Sequence, residues 1–352
     1  VDLIIKILMK IDIDFFSDSN TDPTIEMRET MAKAKVGNEA AGEDPTVNEL
    51  VSEVCDLLGK PAGIFLPSGT MCNVIAYKAQ VEMPGDYIIM DETSHPLVVQ
   101  SGLIAAQAHA TYLPIKGQRG IFNSEQIEEY ITRPHLRNIP RTRIVSIEQT
   151  TNFGGGAIWP IKYIQNIAEL CKANNVYMHL DGARLFNACI STNILPKEYL
   201  KYFDSAFVDF SKGLGAPMGA VLVGSEEFIE KAWYYKFQVG GGMHQAGIIA
   251  AGCLYGLRNN INLLQEDHDK AKYLANALDK IVKIDIDKSL YETNIIYFGL
   301  KNTILSLDDF IGGLLRHGIR MLKIKDKIRA ITHKDISYDQ INFAIKAINE
   351  VL

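Results

Sequence analysis

Two apolar runs in the middle of the chain each end in charged residues. VYMHLDGARLFNA carries Asp181 with Arg184 three residues on, and SAFVDFSKGLGAP carries Ser211 and Lys212 followed by Gly213 and Gly215. Asp181 and Lys212 lie 31 positions apart, room for one strand-to-strand connection. An acid and a lysine at the ends of neighbouring buried strands suit a Schiff-base cofactor. The lysine forms the imine, and the carboxylate keeps a pyridinium nitrogen protonated so that electrons from a broken Cα bond flow into the ring. That combination points to pyridoxal phosphate.

Each of these residues also has a plain structural explanation. A lysine after a buried strand often just extends its amine to water, and an acid there is often a helix cap or half of a core ion pair, here with Arg184. In the chemical reading, partial burial of Lys212 lowers its pKa and favours imine formation, and Ser211 orients the amine or binds a phosphate. Ser68, Gly69 and Thr70 follow the run AGIFLP and open a helical pattern. Backbone amides at a helix start, a glycine and two hydroxyls make an anion cradle, or an ordinary capped turn. His95, in DETSHPLVV, is placed to stack on a cofactor ring, to move a proton, or to make a structural hydrogen bond. Gly154-Gly155-Gly156 and Gly240-Gly241-Gly242 read as close-approach loops or as plain turns.

The elements that must position these side chains alternate. AGIFLP, YIIMDE, ATYLPI, RIVSIEQ, VYMHLD, SAFVDFS and AVLVGS read as strands. TMCNVIAYKAQ, SEQIEEYI and PIKYIQNIAELCKANN carry apolar residues at helical spacing. Alternation of this kind predicts a mostly parallel seven-stranded sheet covered by helices, with ligands at the carboxyl ends of its strands. EDPTVNELVSEVCDLLGK predicts a helix capped by Asp44 with Pro45 in its first turn. Two helical patterns follow from Met243 to about Ile281, broken near Asn259. NIIYFGL, DDFIGGLLRHG, KIRAITH and the final SYDQINFAIKAINEVL alternate again, which predicts a smaller α/β domain. The expected division is residues 1–259, an N-terminal segment with the large cofactor-binding domain, and residues 260–352. The opening VDLIIKILMK reads as an extra edge strand.

Composition narrows the class. The chain has 352 residues, 47% hydrophobic and 22% charged, and a net charge of −6. It has no basic stripe for nucleic acid and no apolar run long enough for a membrane span. Five scattered cysteines without a CxxC pair read as reduced thiols rather than a disulfide frame or metal site, so a cytoplasmic location is expected. GLGAPMG misses the dinucleotide-binding GxGxxG spacing by one residue.

Together, PSGTMCN, HLDGARLFNA, SKGLGAP, GGGMHQAG, GEDPTVNEL and RAITH resemble the L-threonine aldolases, a branch of the β-eliminating lyases in the aspartate-aminotransferase-like (fold type I) pyridoxal phosphate enzymes. The resemblance runs from about Asp14 to the C-terminus. It implies Lys212 as the imine-forming lysine, Asp181 as partner of the ring nitrogen, His95 stacked on the ring, and Gly69 and Thr70 on the phosphate. It implies Ser17, Arg184 and Arg329 as a clamp on the carboxylate of an amino-acid substrate, which suits guanidinium forks. It further implies a homotetramer, a dimer of dimers with active sites at the dimer interface, and cleavage of a β-hydroxy-α-amino acid to glycine and an aldehyde.

The chain departs from the family pattern at several places. Thr151 stands for a second histidine, Val99 and Gln100 for a tyrosine and a glutamate, His244 for an arginine, and Asp22 for an arginine before the early proline. Several of these positions are expected to face the substrate's β-substituent or the cofactor surroundings. They leave β-elimination, or transfer of the glycine unit to another aldehyde, as the alternative chemistry, with a non-catalytic binding protein as a third reading.

Overall fold

The computed structural model describes residues 10–134 and 136–352. The edge strand expected at the extreme N-terminus falls largely outside them.

All seven expected strands form. They are β2 (Ala62–Leu66), β3 (Tyr87–Asp91), β4 (Thr111–Ile115), β5 (Thr142–Glu148), β6 (Tyr177–Gly182), β7 (Ser205–Asp209) and β8 (Ala220–Gly224), preceded by a short β1 (Ile13–Asp14). The sheet order is β2-β8-β7-β6-β5-β3-β4. Only β8 runs against its neighbours, β7 and β2, so β2 points the same way as the five parallel strands. Every residue of β7 and β8 is buried, as expected where helices cover both faces. The period-two alternation divides the side chains. Ile64, Leu66, Ala220 and Leu222 pack with Ile75, Phe228 and Ile229 on one face. Phe65, Val208, Val221 and Val223 join Leu50, Val54, Ile164 and Leu254 on the other.

The helix Pro45–Leu58 starts at Asp44 as expected, and that side chain does more than cap it. Oδ1 accepts from the amides of Thr46 (3.1 Å) and Val47 (3.0 Å), while Oδ2 accepts from Gly37 (3.1 Å) and Gly247 (2.8 Å). One carboxylate thereby ties three segments together. SEQIEEYI is helical only over Glu128–Thr132.

Downstream, the helices Gly247–Asn259 and Leu264–Leu278 lead to an antiparallel sheet of β9 (Ile284–Asp285), β10 (Ile295–Leu300), β12 (Leu322–Ile324) and β13 (Lys327–Ile331), in the order β12-β13-β10-β9. Leu274, Phe310 and Ile348, from three helices, pack on it with Phe298 and Ile328. The N-terminal β1 pairs in parallel with β11 (Ile319–Arg320), and Ile13 and Phe15 join this second core. That pairing carries the segment after β1 across to the carboxyl edge of the large sheet.

Candidate active site

Five connections leave the carboxyl ends of the large sheet on one side, and each brings residues to a single cavity of about 440 Å³. After β2 come Ser68, Gly69 and Thr70, and after β3 comes His95. Glu148, Asn152 and Phe153 follow from β5, Asp181 and Arg184 from β6, and Asp209, Ser211 and Lys212 from β7. Ser17 and Arg329 close the cavity from the other side. The ten residues singled out from the sequence therefore all line one space.

Asp181, the last but one residue of β6, is in register with Glu148 on β5 and Phe207 on β7. Its orientation is fixed from below by a buried chain of hydrogen bonds. Asn73 Nδ2 donates to Asp181 Oδ2 (2.9 Å), and Asn73 Oδ1 faces His179 Nε2 (3.2 Å). His179 Nδ1 faces Ser205 Oγ (2.8 Å), which accepts from Gln80 Nε2 (2.9 Å). Because Asn73 uses its oxygen as acceptor, His179 must carry its proton on Nε2, and Ser205 must donate to Nδ1. Burial lowers the pKa of His179 to about 3, which keeps this neutral tautomer. Burial also raises the carboxyls of both Asp181 and Glu148, the latter further through Asp181 itself. Lys212 and Asn73 favour the charged form of Asp181.

Lys212 Nζ donates to Asp209 Oδ2 at 2.9 Å. Burial opposes its charge most, but the charge and hydrogen bond of Asp209, with the charge of Asp18, together leave the pKa raised. The expectation of a lowered lysine pKa is thus corrected, chiefly by an acid three residues before the lysine in the same run. Ser211 is also committed there, since its Oγ (2.7 Å) and amide (2.8 Å) both donate to Asp209 Oδ1.

Ser68 caps the helix Gly69–Gln80 by accepting from the Met71 amide (3.2 Å). The first amides of this helix, of Gly69 and Thr70, have no intrahelical acceptor. Gly69 has to be glycine, because a Cβ there would sit 2.7 Å from the Phe207 ring. His95 lies nearly parallel to Phe153, with interplanar angle 7° and centroids 6.4 Å apart. Its Nδ1 meets Gln100 Nε2 at 3.1 Å, which places the proton on Nε2. Burial first, then Lys212, Arg184 and Arg329, lower its pKa to about 4, so the ring is neutral.

The arginines differ. Arg184 pairs with Asp18 and not with Asp181. Its Nε and Nη2 donate to Asp18 at 2.8 and 2.7 Å, and both side chains are buried. Burial alone would raise the Asp18 carboxyl, yet Arg184, Lys212 and Asn294 hold it well below the usual carboxylate range. Arg329 donates to Asn152 Oδ1 (2.7 Å) and to the Phe16 carbonyl (3.0 Å), and its buried Nε has no partner among the described residues.

Three of the departures from the family pattern do not reach the cavity, among them the exposed Asp22, whose amide donates to Asp335 (2.8 Å). The Thr151 hydroxyl accepts from the Ala157 amide (3.0 Å) inside its own loop. His244 meets Asn38 at an exposed position (3.3 Å). Val99 and Gln100 do line the cavity.

The arrangement fits pyridoxal phosphate on observations of this structure. Gly69 allows the helix start to approach Phe207 and Asp209 closely, and its amide and that of Thr70, lacking helical partners, stand at the cavity wall. A buried acid with a rigid hydrogen-bonded support shares the cavity with a half-buried lysine, and Arg329 offers a donor without a partner among the described residues. Asp181 would hold the ring nitrogen, residues 68–70 the phosphate, and Lys212 the aldehyde carbon.

Known proteins agree with this geometry. Residues 14–300 match the family model of the β-eliminating lyases. The chain is 34% identical to low-specificity L-threonine aldolase 1 of Arabidopsis thaliana, with 97% of this chain and 96% of the relative covered. It is 33% identical to the low specificity L-threonine aldolase of Escherichia coli K12, with 94% and 96% covered. Among solved structures, Leishmania major threonine aldolase superposes with a TM-score of 0.83 at 19% identity, covering 97% of this chain and all of that one. The aspartate aminotransferase of Rhizobium meliloti gives 0.70 at 15% identity, with 97% and 91% covered, so the fold is that of the fold type I enzymes. The chain belongs to the β-eliminating lyase family of pyridoxal phosphate enzymes.

Proposed function

We propose that this protein is an aldolase cleaving L-threonine, L-allo-threonine or a related β-hydroxy-α-amino acid to glycine and an aldehyde. The observation that carries this reading is the meeting of Lys212, Asp181 and the turn at 68–70 with the unpartnered Nε of Arg329 in one cavity. When bound, the cofactor supplies the electron sink for breaking a bond at Cα. The chain's residues do the rest. Lys212 would supply the amine that holds the cofactor. Arg329, with Ser17 and the remaining donor capacity of Arg184, would orient the substrate carboxylate and so select which bond at Cα is broken. Neutral His95, which lines the cavity, would cover the ring and carries a proton on Nε2 to donate.

We further read the protein as cytoplasmic, a reading supported by five buried, unpaired cysteines. We also read it as a homotetramer with active sites at the dimer interface, its domains divided near residue 260. Exposed Val98, Val99 and Leu103 on the helix beside the cavity support an interface there. Sedimentation of the purified protein tests that assembly. For the activity, the protein is loaded with pyridoxal phosphate and incubated with L-threonine. Glycine and acetaldehyde in equal amounts support the aldolase. A 2-oxo acid with ammonia would replace it by β-elimination.

A further inference from the structure

The last residue of β7 is an acid, and the reading above gives it no task in catalysis. Asp209 is buried and lies between two parts of the cofactor site. On one side its Oδ2 takes the Lys212 ammonium at 2.9 Å, while Oδ1 is clamped by the amide and hydroxyl of Ser211 at 2.8 and 2.7 Å. On the other side it presses on the phosphate turn, where a Cβ on Gly69 would come within 2.9 Å of Oδ2. The carboxylate therefore stands against the helix start whose first amides are the donors for a phosphate.

An anion fixed there is an odd companion for a second anion. Two negative charges a few ångströms apart, away from water, repel far more strongly than in solution. Lys212 offsets the charge of Asp209 only while its amine remains beside it, and the same amine is what the cofactor aldehyde draws away. We propose that Asp209 is a positioning residue that holds Lys212 ready for the cofactor and, by its charge at the turn of residues 68–70, loosens the grip on the cofactor's phosphate. The proposal rests on the pyridoxal phosphate reading of the site.

The test separates phosphate from aldehyde and needs no turnover. Pyridoxamine phosphate carries the phosphate but cannot form an imine, and pyridoxamine lacks both groups. Each is titrated into the full-length cofactor-free protein, followed by its fluorescence, for the wild type, Asp209→Asn and Asp209→Ser. Removing the charge is expected to tighten pyridoxamine phosphate about tenfold while changing pyridoxamine less than about twofold. The serine variant reads the same effect if the asparagine variant does not fold. Equal or weaker binding of pyridoxamine phosphate by a folded variant overturns the proposal, as does an equal gain for both ligands. A wild-type chain that binds neither pyridoxal phosphate nor pyridoxamine phosphate overturns the cofactor reading itself, and this inference with it.

Discussion

The half of the site that would hold the cofactor and the half that would hold the substrate are built on different principles. Asp181, Glu148, Asp209, Lys212 and the turn at 68–70 stand at or just beyond the ends of strands in one sheet. Their separations follow from its register, as with Glu148 opposite Asp181. Ser17, Asp18, Arg184, Asn294 and Arg329 come from segments far apart in sequence. They are joined by the Asp18–Arg184 pair, by Asn294 Nδ2 donating to Asp18 (3.1 Å) and by Arg329 donating to Phe16. The first half takes its rigidity from backbone ladders. The second depends on a few charged side chains removed from water, where losing one partner strands the other.

Replacing Lys212 tests the first half most severely. Lys212→Ala should lower activity at least about a thousandfold, because it removes the group proposed to bind the cofactor covalently. The visible absorption band of the loaded protein, and its loss on borohydride treatment, should disappear with it. A variant that kept both band and activity would mean that the strand ends do not hold the cofactor.

The second half should fail differently. Asp18→Asn leaves Arg184 buried without its counter-charge and should cost about 3–5 kcal/mol of stability, measured by urea unfolding. The pH dependence has a definite sign. The Asp18 carboxyl is lowered in the folded state, so its contribution is complete above the ordinary aspartate pKa. It is lost as the pH falls through the lower folded value. The wild type should therefore lose stability below about pH 4, with a smaller loss in the variant. An unchanged acid limb would show that the pair contributes little.

Arg329→Ala should affect binding without touching the cofactor. Losing a buried charged contact is worth about 2–4 kcal/mol, which appears as a rise in KM of roughly thirtyfold or more with the visible band unchanged. A loss of the band would mean that the two halves are not separable.

The same division governs what could be read from the sequence. Asp181, Lys212 and residues 68–70 each end an apolar run of strand length, so pattern alone placed them on one edge. Asp18 sits in the polar stretch FFSDSNTDPT, which reads as an exposed loop. Its burial is created by Arg184 and Asn294, 166 and 276 positions away, and no local pattern carries that. Arg329 was legible only through a family resemblance. Asp209 lay in a strand correctly recognised, but its effect on Lys212 needed side-chain geometry. Thr151 and His244 show the reverse error, since a departure from a motif need not face the cavity.

The smallest expected effect concerns a residue that joins parts of the cofactor half. Gln100 Nε2 reaches both Thr70 Oγ1 and His95 Nδ1 at 3.1 Å, and its Oε1 lies 3.5 Å from Asn73 Nδ2. One amide thereby links the turn at residues 68–70, His95 and the support of Asp181. Gln100→Leu removes these neutral hydrogen bonds at about 1 kcal/mol, so kcat should fall only about three- to tenfold. The pH profile gives a sharper reading than the rate. Burial and the nearby cations are what lower the His95 pKa to about 4, and the substitution removes neither. The acid limb of kcat should therefore stay where it is in the wild type. If it moved up by a full pH unit, the Gln100 amide would be what keeps His95 neutral. The cofactor half would then depend on single side chains as much as the substrate half does.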